Sequence, residues 1–123
     1  MKLGENVWYQ FAQSGGCYVQ ALNGVEIGDD TLIAPGVKIV SASHDLSDHQ
    51  SHGSTGPIRI GDRCWLGANA VILPGVELGD EVVVAAGSVV TKSFPARTIV
   101  AGVPAAAVGS LDFDGPIQPL ARS

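Results

Sequence analysis

The chain has 123 residues, the size of one domain, and 46% of them are hydrophobic, enough to form a core. Seven basic and twelve acidic residues give a formal net charge of −5 without a block of either sign, which argues against nucleic-acid binding. The sequence shows no long apolar segment and no secretion signal, and two cysteines do not make a disulfide framework. We therefore expect a single cytoplasmic domain that does not insert into a membrane.

Aliphatic residues recur at every sixth position in two runs, over residues 3–44 and 60–95. In the first run, Tyr9, Gly15 and Ala21 keep the phase with weaker side chains. The stronger members are Leu3, Ile27, Ile33, Ile39, Ile60, Leu66, Ile72, Leu78, Val84 and Val90. Because residues two apart in a strand share a face, each hexad predicts a short strand with inward aliphatic side chains.

Glycine marks the corners between these strands, in PG and GD pairs where it can take a positive φ. The glycines concerned are Gly28, Gly36, Gly61, Gly75 and Gly79. Three hexads close a triangular coil, and adjacent coils pair as parallel strands. The predicted fold is therefore all-β, a parallel β-helix. Antiparallel hairpins, the alternative, would need irregular strand spacing.

Both ends of such a helix would leave unpaired strand edges, so we expect capping or oligomerisation. Outward apolar residues on the carboxy-terminal coils, Val71, Val83 and Val89, also favour an oligomer.

The repeat fails after His44, where residues 45–56 include one aliphatic side chain in twelve. If the chain leaves the helix at one corner, residues 39–44 and 57–62 are consecutive strands and about fifteen extra residues form a projecting loop. Long loops on rigid scaffolds often carry function. His44 lies at the last, outward position of its hexad, where the loop departs.

Two segments read IGDDTLIAPGVKIVSASHD and PIRIGDRCWLGANAVILPGVELGDEVVVAAGSVVTKSFPARTIVAGVPA. They resemble the hexapeptide-repeat acyltransferases, most closely the branch that O-acetylates sugars, including maltose, galactosides and lipopolysaccharide. The resemblance implies a left-handed helix over residues 1–107, followed by a tail over residues 108–123. It also implies a homotrimer that binds acetyl-CoA between subunits and acetylates a hydroxyl of a sugar or glycan precursor.

The family's catalytic histidine stands at the place of His44 in its motif, which implies that His44 is the general base. Transfer from a thioester to a hydroxyl needs a base with a pKa near 7, and it needs no covalent enzyme intermediate. We therefore expect neither cysteine to be a nucleophile, since Cys64 occupies an inward position and Cys17 has no nearby motif.

A register of three hexads per coil, with the loop excised, places Trp8, Glu26, His44 and Glu77 on one outward face. Glu26 and Glu77 would then either support the imidazolium formed during transfer or keep that face soluble.

By the same resemblance, the motifs CWLGANAVILPG and AAGSVVTK imply which residues contact the acyl donor, acetyl-CoA. These are Trp65, Ala68, Ala86, Thr91 and Lys92. Small side chains would let the pantetheine arm reach backbone amides, and Lys92 would meet a phosphate. After GVPA, however, residues 106–109 read Ala-Ala-Val-Gly where the family carries Lys or Arg, and Ser14 and Leu22 replace the family's acceptor contacts.

Two other functions stay open. The missing basic residues favour a non-catalytic trimeric binding module. The spacing of His44, His49 and His52 is reminiscent of zinc ligands in carbonic anhydrases built on the same helix, but those draw one histidine from an earlier coil, where this chain has Glu26. We therefore expect no metal.

Overall fold

The computed structural model describes residues 1–8, 15–42 and 56–111. These residues contain thirteen strands. Within the described ranges, no helix is long and apolar enough to cross a bilayer. The strands are β1 (Lys2–Leu3), β2 (Tyr18–Gln20), β3 (Val25–Ile27), β4 (Leu32–Ile33), β5 (Lys38–Val40), β6 (Ile58–Ile60), β7 (Trp65–Leu66), β8 (Val71–Ile72), β9 (Glu77–Leu78), β10 (Val83–Val84), β11 (Val89–Val90), β12 (Thr98–Gly102) and β13 (Ala105–Ser110).

The strands form three sheets that the chain visits in turn. Sheet 1 contains β1, β3, β6 and β9, sheet 2 contains β4, β7, β10, β12 and β13, and sheet 3 contains β2, β5, β8 and β11. From β3 to β11, successive strands fall in sheets 1, 2 and 3 in that order, and their pairings are parallel. The described chain is therefore a parallel β-helix with three faces, as the period of six predicts.

The pairing register confirms the length of a regular coil and shows that one coil is longer. In a regular coil, Trp65 pairs with Val83, three hexads further along the chain. Across the interruption, Leu32 pairs directly with Trp65, so the much longer segment between them also closes a single coil. The excess length matches the excursion that we expect. Most of the expected loop lies outside the described residues, as do His44, His49 and His52.

The first coil does not keep the period of six, and that part of the prediction is wrong. The period of six predicts that Tyr9 pairs with Ile27, but Leu3 does so. It predicts that Ala21 pairs with Ile39, but Val19 does so. Ala21 lies outside the strands, because its small side chain supplies little of the apolar area that holds an inward position. Gly15 lies outside them for the same reason, and Tyr9 lies outside the described residues.

The predicted column of Trp8, Glu26, His44 and Glu77 is also wrong in two places. Lys2, not Trp8, pairs with Glu26, since the first coil contains one additional hexad. Trp8 is 71% exposed. Arg59, which pairs with both Glu26 and Glu77, occupies the place in the column predicted for His44.

Inward aliphatic side chains from all three sheets form the core. Each contributes roughly 1.5 to 3 kcal/mol when fully buried. The largest are Ile33, Ile39, Ile58, Leu66, Ile72, Val25, Val37, Val76, Val82, Val84 and Val90. Among the outward valines expected to favour an oligomer, Val71 and Val89 are half-buried, but Val83 is only 5% exposed. Val83 lies between Trp65 and Ile99 of the neighbouring strands, so it is already covered within the chain.

The GD corners hold consecutive coils together. Asp80 Oδ1 accepts a hydrogen bond of 2.8 Å from the backbone N–H of Asp62 in the coil before it. Gly61 lies directly beneath, and a Cβ there would lie 2.8 Å from the backbone nitrogen of Asp80 and closer still to its carboxylate. The same arrangement joins Gly28 to Asp62 and Gly4 to Asp29.

Glycine is thus needed at these corners for space and not for its φ. The prediction of a positive φ is confirmed for Gly36 and Gly75 of the PG corners, at 78° and 80°. It is wrong for the GD glycines, because there the residue two positions later takes the left-handed conformation. These residues are Asp30, Arg63 and Glu81.

The last strand reverses direction and caps one sheet. After the turn at Val103 and Pro104, β13 runs antiparallel to β12 and covers its outer edge. This is the capping expected for an open helix end. β13 continues across position 107, where we expect the domain to end, and residues 112–123 lie outside the described residues. The division into a domain and a tail stays a prediction.

We predict that Gly61→Ala lowers the free energy of unfolding by about 1–3 kcal/mol, because the added methyl group overlaps the Asp80 backbone and carboxylate. Urea denaturation measures the change. Gly15→Ala is the matched control, since a Cβ at Gly15 meets nothing within 4 Å. Equal denaturation midpoints for the two variants would contradict the role assigned to the GD corner.

Candidate active site

The outward faces of two sheets differ sharply in chemistry. On sheet 1, the outward positions of successive layers alternate in charge, and we call them the charged ladder: Lys2, Glu26, Arg59 and Glu77. On sheet 2, the corresponding positions are all apolar, and we call them the apolar stripe: Leu32, Trp65, Val83 and Ile99. Each face has its own cavity.

The charged ladder borders an open concavity of about 840 Å³ along sheet 1. Arg59 Nη1 lies 3.1 Å from Glu77 Oε2, and both side chains are more than half exposed, so the ion pair contributes about 0–1 kcal/mol. Glu26 and Glu77, the predicted supports of His44, therefore have Arg59 as their common neighbour. The position of His44 relative to them lies outside the described residues, and their role stays a prediction.

The chain is held firmly at the point where it leaves sheet 3 toward His44. The Gln20 side chain donates from Nε2 to the carbonyl of Ala42 at 3.1 Å and accepts from the N–H of Ala42 at 3.0 Å. Asn23 Nδ2 donates to the carbonyl of Ser41 at 3.0 Å, and its N–H donates to Ser41 Oγ at 2.9 Å. The backbone two residues before His44 is thereby fixed to the helix.

The sequence pattern does not reveal Gln20 and Asn23, whose side chains hold the backbone before His44. An amide side chain at a polar corner carries no periodic signal. One general rule could have pointed to such residues: backbone N–H and carbonyl groups need hydrogen-bond partners where the chain leaves the sheet.

The apolar stripe borders a second cavity, of about 540 Å³, which we call the apolar cavity. It brings together three of the five predicted donor contacts, Trp65, Ala68 and Ala86. Ile99 and Val108 also line it, and every lining residue is apolar or glycine. The surface suits an uncharged, partly apolar ligand segment better than a phosphate.

The other two predicted donor contacts, Thr91 and Lys92, are not among the residues that line this cavity. They follow β11 at the next corner and are exposed. Lys92 Nζ lies 5.7 Å from the centre of the Phe94 ring, a cation–π distance. Their role in binding the donor stays a prediction.

A row of charged residues lies at the corner that precedes β7, β10 and β12, and one of them bonds the residue that follows β13. Glu81 accepts hydrogen bonds from Arg97 Nη1 at 2.6 Å and from Arg63 Nε at 3.4 Å. The Arg97 guanidinium chiefly holds the pKa of the Glu81 carboxyl below its usual range, against the opposing effect of desolvation, and Arg63 adds to the lowering. Arg97 also contacts Leu111, which follows β13: its Nε donates to the Leu111 carbonyl at 3.0 Å, and its own carbonyl accepts from the Leu111 N–H at 2.8 Å.

Cys64 is a core residue, as predicted. Its Sγ lies 3.2 Å from the Gly79 carbonyl, its side chain is 1% exposed, and burial raises the pKa of the thiol to about 11. Cys17 is half-buried, with its Sγ 3.5 Å from the Ala34 carbonyl. Neither lines the apolar cavity.

We predict that Cys64 reacts with dithionitrobenzoate at pH 8 roughly 100-fold or more slowly than a free thiol, since little thiolate forms in the folded protein. A Cys17→Ser background isolates the signal, and unfolding in guanidinium should restore fast reaction. Free-thiol kinetics in the folded protein would show that Cys64 is accessible and reactive.

Within residues 1–8, 15–42 and 56–111, no group of three His, Cys, Asp or Glu side chains could hold a metal ion. The three histidines of the possible zinc site lie outside those ranges, so the expectation of no metal stays a prediction.

Residues 57–92 match the family model described as the hexapeptide repeat of succinyl-transferase. They cover β6 to β11, the part of the helix with regular coils of three hexads. This part of the chain carries the repeat of the hexapeptide-repeat family. It is 44% identical over 85 residues to the galactoside O-acetyltransferase of Escherichia coli, a match that covers 65% of this chain and 41% of that protein.

Solved structures of hexapeptide-repeat relatives share the fold. A maltose O-acetyltransferase from Clostridium difficile is 34% identical, with a TM-score of 0.67 over 90% of this chain and 59% of that one. A hexapeptide-repeat acetyltransferase from Vibrio cholerae, solved with acetyl coenzyme A, is 31% identical, with a TM-score of 0.72 over 90% of this chain and 60% of that one. These matches confirm the resemblance to sugar O-acetyltransferases. The chain spans between 41% and 60% of the length of the first curated relatives it matches.

Proposed function

We propose that this hexapeptide-repeat protein transfers an acetyl group from acetyl-CoA to a hydroxyl of a sugar or glycan precursor in the cytoplasm. The observation that carries the proposal is the apolar cavity, which gathers Trp65, Ala68 and Ala86 from both motifs that resemble the family. The names of the relatives support the substrate classes, since two of them acetylate maltose or galactosides and a third was solved with acetyl coenzyme A.

In this proposal the pantetheine arm lies in the apolar cavity, where alanine side chains leave room for the arm. Thr91 and Lys92, at the neighbouring corner, meet the charged end of the donor. The helix is left-handed, and the donor binds between subunits of a homotrimer. The apolar stripe supports this assembly, because Leu32 is 42% exposed and Trp65 is half-buried in the isolated chain.

His44 acts as the general base. It takes the proton of the acceptor hydroxyl while the hydroxyl oxygen attacks the thioester carbonyl. As the carbon–sulfur bond breaks, the imidazolium returns that proton to the departing thiolate, so the products are an acetyl ester and free CoA. Gln20 and Asn23 support this role, since they fix the backbone that leads into His44. Glu26 and Glu77 stabilise the imidazolium weakly, because Arg59 offsets their charge.

A non-catalytic trimeric binding module is the second candidate. It is favoured by β13, in which exposed Ala106 and Ala107 occupy the positions after GVPA and offer no positive charge to a phosphate.

We predict that His44→Ala lowers the transfer rate by roughly 10²- to 10⁴-fold, the usual contribution of a positioned general base, and leaves CoA affinity unchanged. The assay follows free thiol release from acetyl-CoA with a panel of sugars and simple alcohols. His49→Ala and His52→Ala are the matched controls and should lose far less activity. Wild-type turnover by His44→Ala would overturn the mechanism, whereas CoA binding by a parent protein that acetylates nothing would favour the binding module.

We predict a homotrimer in solution, because burial of the apolar stripe between subunits removes apolar surface from water. Light scattering at micromolar concentration measures the mass. Leu32→Glu should weaken the trimer, whereas Lys38→Glu on sheet 3 should not. A monomer mass for the parent protein would contradict the assembly.

A further inference from the structure

We propose that Val108 forms a wall of the donor site that contacts the pantetheine arm, and that Arg97 is the positioning residue that keeps it there. This inference rests on the proposed function and extends it to Val108 and Arg97, two residues to which the sequence motifs assign no role.

A β-bulge places Val108 at the cavity. In the ladder of β12 and β13, Ile99 pairs with Gly109 and Val100 pairs with Ala107. Val108 therefore has no partner on β12 and is the extra residue of a bulge. Bulges re-aim a side chain relative to regular pairing. Here Val108 and Ile99 both line the apolar cavity.

Val108 has the properties of a ligand contact. It is 65% exposed although it borders an apolar cavity, so a bound ligand would remove apolar surface from water. Trp65, across the same cavity, offers a flat aromatic surface. The walls thus suit the uncharged amide and methylene segments of a pantetheine arm, and they offer nothing to its phosphates.

Arg97 fixes the strand that carries this wall. Its side chain and its backbone both bond Leu111, the residue that follows β13 and is 8% exposed. The guanidinium is itself held by Glu81 at 2.6 Å, in the coil beneath. Besides its pairing with β12, the end of β13 nearest the bulge is therefore attached to the helix through Arg97.

The first experiment compares Val108→Phe with Val103→Phe. Val103 is a matched control, because it lies on the same hairpin, is 71% exposed and does not line the cavity. Calorimetry measures the binding of CoA and of adenosine 3′,5′-bisphosphate, which lacks the arm. We expect Val108→Phe to weaken CoA binding by about tenfold or more while bisphosphate binding changes by less than about twofold. Val103→Phe should leave both unchanged.

The outcomes separate the two proposals. Failure of the parent protein to bind CoA would refute the proposed function, and the inference with it. Normal CoA binding by both the parent and Val108→Phe would refute the inference alone. Equal weakening of CoA and bisphosphate binding would also refute it, since the effect would then not arise at the arm.

A second experiment tests Arg97 through a double-mutant cycle. Arg97→Met should raise the KM for acetyl-CoA about fivefold while kcat and the acceptor KM stay constant. In a Val108→Ala background the same substitution should have little further effect, because the wall is already gone. Independent, multiplicative effects of the two substitutions would show that Arg97 does not act through Val108. Circular dichroism at the assay temperature verifies that each variant is folded.

Discussion

The contact on which the rest of the helix depends is the one between a GD corner and the coil beneath it. An aspartate carboxylate accepts the backbone N–H of the preceding coil, and a glycine leaves the space that this carboxylate occupies. The contact fixes both the distance between coils and their relative rotation. With rotation fixed, strands of only two or three residues stay in register, although each alone would gain too few hydrogen bonds to persist.

Because the register is fixed, outward residues of successive coils stack in columns. The side chains in each column determine whether that face of the helix is charged or apolar. One face alternates between positive and negative side chains from layer to layer, which keeps it hydrated. Another is apolar from Leu32 to Ile99, and it borders the cavity that gathers the motif residues. This difference between the faces supports the proposed function. In that proposal the apolar face binds the pantetheine arm and a neighbouring subunit, and the backbone held by Gln20 and Asn23 positions His44 as the general base.

Much of this could be predicted from the sequence, because large aliphatic residues every six positions leave few alternatives. The prediction failed where the side chains are small, so that the phase in the first coil is set by Val19 and not by Gly15 or Ala21. The prediction of a positive φ was also wrong for the glycines of the GD corners. These positions need glycine because a carboxylate from another coil, remote in sequence, leaves no space for a Cβ. Gln20 and the bulge at Val108 depend on single tertiary contacts, and no repeat pattern encodes those.

The register across the interruption has a consequence for how such proteins diversify. The long segment from Leu32 to Trp65 closes one layer, just as the three hexads from Trp65 to Val83 do, and the strands on either side pair as though nothing had been inserted. Doubling the length of a flexible loop costs only about 0.6 kcal/mol in closure entropy. The length and composition of the segment that contains the proposed base can therefore change while the strand pairing on either side, and the apolar cavity, stay as they are.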